Sequence, residues 1–321
     1  MAKKIGKGIG VAREVFAGRK NNAASDEKII LVPVDLNAYS MLAVRQSFIV
    51  AAEIGAKVML LHSYVLPSAA DTFSLSPDTL SFEPKDMDLD ITIEATAKDQ
   101  MKSFVADVEK EIAAGHLPKV DFETVVEEGL PETVINEYSR EHNPVLIVMV
   151  TRDAQKKERE LIGSVTAEVL DTTRYPLLTI PENADPADSL VKHTDVACFC
   201  NLDNEDVEAI NSLATLFPGV KFNVTFYYIE SRKDKFNLVN SNEMLPKLTN
   251  YCRAKYRDYT FAGRELQPQQ ARELFVNHKT NNINFILVPN KRRLALTRLF
   301  NPGLAHRLLF VADIAMLVVP V

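Results

Sequence analysis

Cysteine is scarce in this chain: 321 residues hold three. Cys198 and Cys200 stand two apart in an apolar run, so on a strand both point to the same face and are badly placed to bridge. No cluster of His or Cys nearby completes a metal site. All three therefore read as reduced core thiols, the usage of a cytoplasmic protein. An apolar run of membrane-spanning length is also missing. Residues 1–22 begin basic, but Lys7, Arg13 and Glu14 break the continuous apolar stretch that a signal peptide needs. Positive charge is not in excess either. A formal net charge of −6 gives no general pull toward nucleic acid, so any basic site must be local.

Catalytic signatures are equally thin. The histidines, at 62, 116, 142, 193, 278 and 306, form no motif with a nucleophile and no metal-ligand spacing. "GKGIG" at 6–10 is glycine-rich, but it follows no strand and lacks the Gly-Lys-Ser/Thr ending of a phosphate loop. The first strand does not run into the Gly-x-Gly turn of a dinucleotide-binding fold. The expectation is a protein that is not an enzyme, holds no metal, and binds neither nucleic acid nor membrane.

What is present is a regular alternation of strand and helix. An apolar fraction of 46% and a charged fraction of 25% are those of a globular protein, and the length suits two domains. "KIILVPVD" (28–35) reads as a buried strand, and a helical spacing over 38–55 ends at Gly55. A second strand follows at 57–65, then a proline-rich loop over 66–89 and a helix over 90–115. A strand at 119–129 precedes a helix opened by Pro131 and running to about 142. Strands at 144–150 and 175–181 flank a helix from Gly163 to about Thr173.

After a polar stretch the same order begins again. Strands at 195–203, 221–229 and 258–266, a strand with its loop at 283–293, and a strand at 316–321 repeat the first five, and Pro268 opens a segment over 267–278 as Pro131 does earlier. Matching the strands by their letters gives an offset of 168 at the first and 164 at the second, then 139 at the fourth and fifth. The chain therefore divides into a basic N-terminal extension (1–25), a first domain (26–182), a linker (183–193) and a second domain (194–321). Strands joined through helices predict two tandem, doubly wound α/β domains with parallel sheets of five strands each. In the extension, Ile5, Ile9, Ala12 and Phe16 allow an apolar helical stripe suited to a membrane surface or a partner groove. Gly6, Gly8 and Gly10 weigh against it and favour a flexible tail.

"ILVPVD", "LLHSYV", "EEGLPETVINEYSREHNPVLIVMV" and "IGSVTAEVLDTTRYPLLTIP" resemble the universal stress protein family. The likeness spans the first domain nearly end to end. In the second it rests on element order and the closing "LVVPV". It implies an adenine nucleotide alpha hydrolase-like fold, a role in stress response, and pairing through the last strands. The strands at 175–181 and 316–321 then meet within one chain as a pseudo-dimer, with a homodimer beyond that also open. The resemblance further implies a site for ATP, with magnesium, in the first domain only, at Pro33, Val34, Asp35, Met149, Gly163, Ser164 and Val165. Asp35 has a structural alternative as the cap of the next helix, and Asp203 echoes it in the second copy.

The family's nucleotide loop runs Gly, two residues, Gly, nine residues, then Gly-Ser or Gly-Thr. Gly163-Ser164 fits its end, but Val150 and Asp153 stand at the leading glycines. Valine disfavours positive φ, and a carboxylate about 4 Å from a phosphate costs up to roughly 4 kcal/mol at an effective dielectric near 20. Arg152, Lys156, Lys157 and Arg159 can offset that charge, with Glu158 and Glu160 balancing part of the cluster. In the second copy Pro289, Arg292, Pro302 and Gly303 stand at the motif positions, so no element of the pattern survives. Three roles follow as expectations: a regulatory protein acting on an unidentified protein partner, an ATP sensor using the first domain, and a slow ATP hydrolase.

Overall fold

The computed structural model describes residues 13–14, 27–66, 86–151, 164–184, 191, 194–229, 240–267, 270, 273–274, 283–290 and 314–321. The expectations for the loop at 152–163, for its counterpart at 291–303, and for most of the linker and of 267–278 lie outside these residues.

Among the described residues, eleven strands form one sheet. β1 (Arg13–Glu14) is a two-residue edge strand. The first half continues as β2 (Ile29–Pro33), α1 (Ser40–Ile54), β3 (Lys57–Tyr64), α2 (Asp86–Ala113), β4 (Phe122–Glu128), α3 (Pro131–His142), β5 (Leu146–Thr151), α4 (Ser164–Thr172) and β6 (Leu177–Pro181). The second half follows as β7 (Asp195–Cys200), α5 (Asn204–Leu216), β8 (Asn223–Ile229), α6 (Ser241–Lys255), β9 (Thr260–Leu266), β10 (Phe285–Asn290) and β11 (Ala315–Pro320). The spatial order is β1-β4-β3-β2-β5-β6-β11-β10-β7-β8-β9. Pairing is parallel within each half and antiparallel only where β6 meets β11.

The central strands are near-continuous apolar runs because helices cover both faces. Ile30, Val32 and Val34 join a core on one face with Phe48 of α1, Phe104 of α2 and, in the second half, Leu213 of α5. Leu31, Met59 and Ile147 join the other with Val134 of α3 and Leu170 of α4. Both cores run through the two halves. The helix stops follow from local chemistry. Gly55 closes α1 in the left-handed conformation, its N–H donating to the Ala51 carbonyl. Asn143 does the same for α3 toward Ser139.

Three expectations need correction. The N-terminal extension contributes β1, which pairs parallel with β4 through Arg13 to Glu123 and so covers an otherwise open sheet edge. The remainder of the extension lies outside the described residues. The letter-matched offsets are also wrong at the first two strands. Ile30 pairs with Val58 and Leu146, whereas Val196 pairs with Val224 and Phe285, so the offset is 166 at both (Ile30 to Val196, Val58 to Val224). At β4 and β5 it is 139 (Phe122 to Phe261, Leu146 to Phe285), as the sequence indicated at the later strand. The correct register makes Asn201 the counterpart of Asp35, and Asp203 that of Asn37.

The halves join through β6 and β11. Leu177 pairs with Val318, Leu178 with Leu317 and Thr179 with Met316. Under the offset of 139 this pattern maps onto itself, so a pseudo-two-fold axis passes between Leu178 and Leu317.

Candidate functional site

The order β4-β3-β2-β5-β6 reverses its sequence direction between β2 and β5. Ligand crevices of open α/β sheets form at such a switch point, outside the carboxyl ends of the strands. Here a cavity of about 430 Å³ opens at that place. Its walls are Pro33, Val34 and Asp35 after β2, Asn37, Tyr39 and Ser40 leading into α1, and Leu61, His62 and Ser63 of β3. Pro131, Val134 and Ile135 of α3, Met149 and Val150 of β5, and Val165 and Thr166 of α4 complete it.

The turn after β2 is built by three polar side chains. Leu36 takes φ 59°, which swings the chain out of the strand. Asn37 Oδ1 then accepts the N–H groups of Tyr39 at 2.9 Å and Ser40 at 3.1 Å, just where the chain enters α1. The capping role considered for Asp35 therefore belongs to Asn37. Asp35 accepts from Asn37 Nδ2 at 2.6 Å and from Ser40 Oγ at 2.5 Å, while its own N–H donates to Ser40 Oγ at 3.2 Å. Its carboxylate is thus oriented from both oxygens and stands exposed in the cavity wall. On β3, His62 Nδ1 lies 2.8 Å from the Val34 carbonyl, so that nitrogen donates.

The far wall depends on one glycine. Gly129, between β4 and α3, has φ 141°, and its N–H donates to the Tyr64 carbonyl at 2.8 Å. A Cβ there would stand 2.9 Å from Val134 Cγ2. This close approach lets α3 pack on β3 and β2 and bring Pro131, Val134 and Ile135 to the cavity. On α4, Thr166 Oγ1 donates to the Val150 carbonyl at 3.3 Å and ties the helix to the end of β5.

Of the residues implied by the resemblance, Pro33, Val34, Asp35, Met149 and Val165 line this one cavity. Ser164 is the first residue of α4, and Gly163 lies outside the described residues. Asn37, Ser40, His62 and Ser63 were missed. The signal for them was the chain's own strand order, since all four sit at or just past the carboxyl end of a strand beside the switch point. Val150 also behaves differently from the expectation. It pairs with Ile180 inside β5, which ends one residue later than predicted, and has no positive φ for its side chain to resist.

The second half closes the corresponding turn on itself. Leu202 repeats the positive φ of Leu36 at 63°. Asp203 accepts from Glu205 N–H at 3.1 Å and forms a capping box with Asp206. Asp206 replaces Ser40, is 0% exposed, and accepts from the N–H groups of Asn201 at 3.1 Å and Asp203 at 3.0 Å. Burial pushes its carboxyl up to about 6, with those N–H bonds opposing the shift. Tyr228 stands at the position of His62 and Cys200 at that of Val34. Burial raises the thiols of Cys198, Cys200 and Cys252, and all three are free, so none is an activated nucleophile.

Comparison with known proteins agrees with this architecture. Residues 27–181 match the model of the universal stress protein family. Among solved structures, a universal stress protein from Archaeoglobus fulgidus DSM 4304 superposes with a TM-score of 0.63 at 13% identity, over 92% of this chain and 99% of that one. A functionally unknown protein from Pseudomonas aeruginosa PAO1 superposes with a TM-score of 0.55 at 13% identity, over 92% and 93%. A search of curated protein sequences gives no significant match. The fold is that of a tandem α/β protein with a crevice at the switch point of its first half. Over residues 27–181, just under half of its length, the chain is similar to the universal stress protein family. Among the described residues no helix is long and apolar enough to cross a membrane, and no group of three or more His, Cys, Asp and Glu side chains is placed to hold a metal ion.

Proposed function

We propose that this chain is a regulatory protein that senses an adenine nucleotide through its first half and binds it without turning it over. The observation that carries this is the preformed cavity of about 430 Å³ with the oriented Asp35 carboxylate in its wall. Its size is in the range of small-molecule sites, and apolar walls with a few convergent polar groups are their usual composition. Val34, Leu61 and Met149 offer apolar wall for a base, and Asp35 an acceptor for ribose hydroxyls. The second half has its turn locked by Asp206, which favours one site per chain.

Calorimetric titration of nucleotide-stripped protein with ATP and magnesium tests the proposal. Saturation near one site per chain is expected, with affinity reduced about tenfold or more in Asp35→Ala, the loss of one or two charge-assisted hydrogen bonds. Sustained phosphate release would contradict binding without turnover.

A second role, docking of a protein partner, is favoured by exposed apolar side chains around the same rim. Tyr39, Val65 and Leu130 are 40%, 53% and 54% exposed, and all follow the carboxyl ends of β2, β3 and β4. A silent ATP titration would transfer the function to that surface.

A further inference from the structure

We infer that His62 is a specificity-determining residue of the cavity and links ligand affinity to pH, an inference that rests on the nucleotide role proposed above. The Val34 carbonyl can only accept, so His62 Nδ1, 2.8 Å away, carries the proton of the neutral ring. Val34 lies one residue past β2, and its own N–H is already held by the Leu61 carbonyl at 2.9 Å. The ring is thus pinned to a rigid element, and Nε2 is the nitrogen left for a ligand. In the neutral ring Nε2 is a bare acceptor, matched to an amino or hydroxyl donor. Protonation makes it a donor and removes that match.

Few ionisable groups face the ring. Of the other cavity-lining residues, Asp35 and Tyr39 are the ionisable ones, and Asp35 is held by Asn37 and Ser40. On β4, the residue paired with His62 is the apolar Val126. Glu127 and Glu128 pair with Ser63 and Tyr64 instead. On α2, Glu94 is paired with Lys98, and Glu111 joins Arg45 of α1. The walls contributed by α3, β5 and α4 carry no charge. The second half has Tyr228 at this position, so the device is confined to the first.

His62→Asn tests the inference, because an Asn amide keeps an N–H for the Val34 carbonyl and does not titrate. ATP–magnesium affinity is measured for both proteins at about pH 8 and about pH 5.5, across which imidazoles gain their second proton. The terminal phosphate of ATP changes charge in the same interval, but it does so equally for both. The wild type is expected to weaken by about fivefold more than His62→Asn, the worth of one hydrogen bond. Equal pH responses would show that His62 only pins Val34 and would overturn the inference. Failure of the wild type to bind at either pH would remove the nucleotide role itself. Imidazole ¹⁵N spectra of the wild type give a reading that does not depend on the variant folding. The His62 Nε2 resonance is expected to move on addition of ATP, and an unmoved resonance contradicts the proposal.

Discussion

Asp35, Asn37 and Ser40 in the first half and Asn201, Asp203 and Asp206 in the second are the same turn written with different side chains. In one, a hydroxyl at the last position leaves the carboxylate of Asp35 facing a cavity. In the other, the carboxylate sits at the last position, turned inward on two backbone N–H groups. That exchange has a measurable consequence. The carboxyl of Asp206 is raised in the folded protein from 3.8 to about 6. The folded state therefore holds its proton more tightly than the unfolded state. This contribution is complete below about pH 4 and is lost as pH rises through about 6, for a total on the order of 3 kcal/mol. Urea unfolding at about pH 5 and about pH 7 should show the wild type gaining more stability at the lower pH than Asp206→Asn does. Equal pH responses would mean that Asp206 is not the titrating group. The same exchange explains why letter matching failed here. "DLN" and "NLD" both contain an aspartate, but only the hydrogen bonds show that it has changed places. His62 carried no motif, since a lone histidine has no spacing signal, and only its place on a strand end beside the switch point marked it.

Helices and strands were legible because their apolar spacing is enforced by two buried faces. Their ends were less so. The strands expected at 119–129, 144–150 and 175–181 begin later, at Phe122, Leu146 and Leu177. Val120, Val145 and Tyr175 pack against the cores from outside the ladders, so apolar character runs past the hydrogen-bonded residues. The joint between β4 and α3 was legible only in part: Pro131 announces the helix, but nothing in the letters shows that Gly129 sets its approach. Gly129→Ala is expected to destabilise the fold by about 2 kcal/mol or more, because φ 141° is unavailable to alanine and the new Cβ meets Val134. Chemical denaturation measures that loss, and ATP affinity should fall with it as the α3 wall withdraws. A variant as stable as the wild type would show that α3 has another way to reach the cavity.

β6 and β11 join the two halves of the chain in one antiparallel seam. Both cores continue across that seam, so the halves should unfold together in one transition. Leu178 and Leu317 are 0% and 1% exposed at the pseudo-two-fold axis. Leu317→Asp places an unpaired charge there and is expected to cost more than about 4 kcal/mol, or to split the transition in two. A variant that still unfolds in one transition at the wild-type midpoint would contradict a shared core. The tandem arrangement was readable from repeated strand order and the loss of the loop pattern in the second half from its letters, whereas the closing of its turn by Asp206 was readable only once side chains were placed. The central claim is that one half keeps an open site and the other has closed its own. Calorimetric titration of the nucleotide-stripped chain with ATP and magnesium tests it most directly. One saturable site per chain, weakened by Asp35→Ala, is the predicted result; two sites, or none, would contradict it.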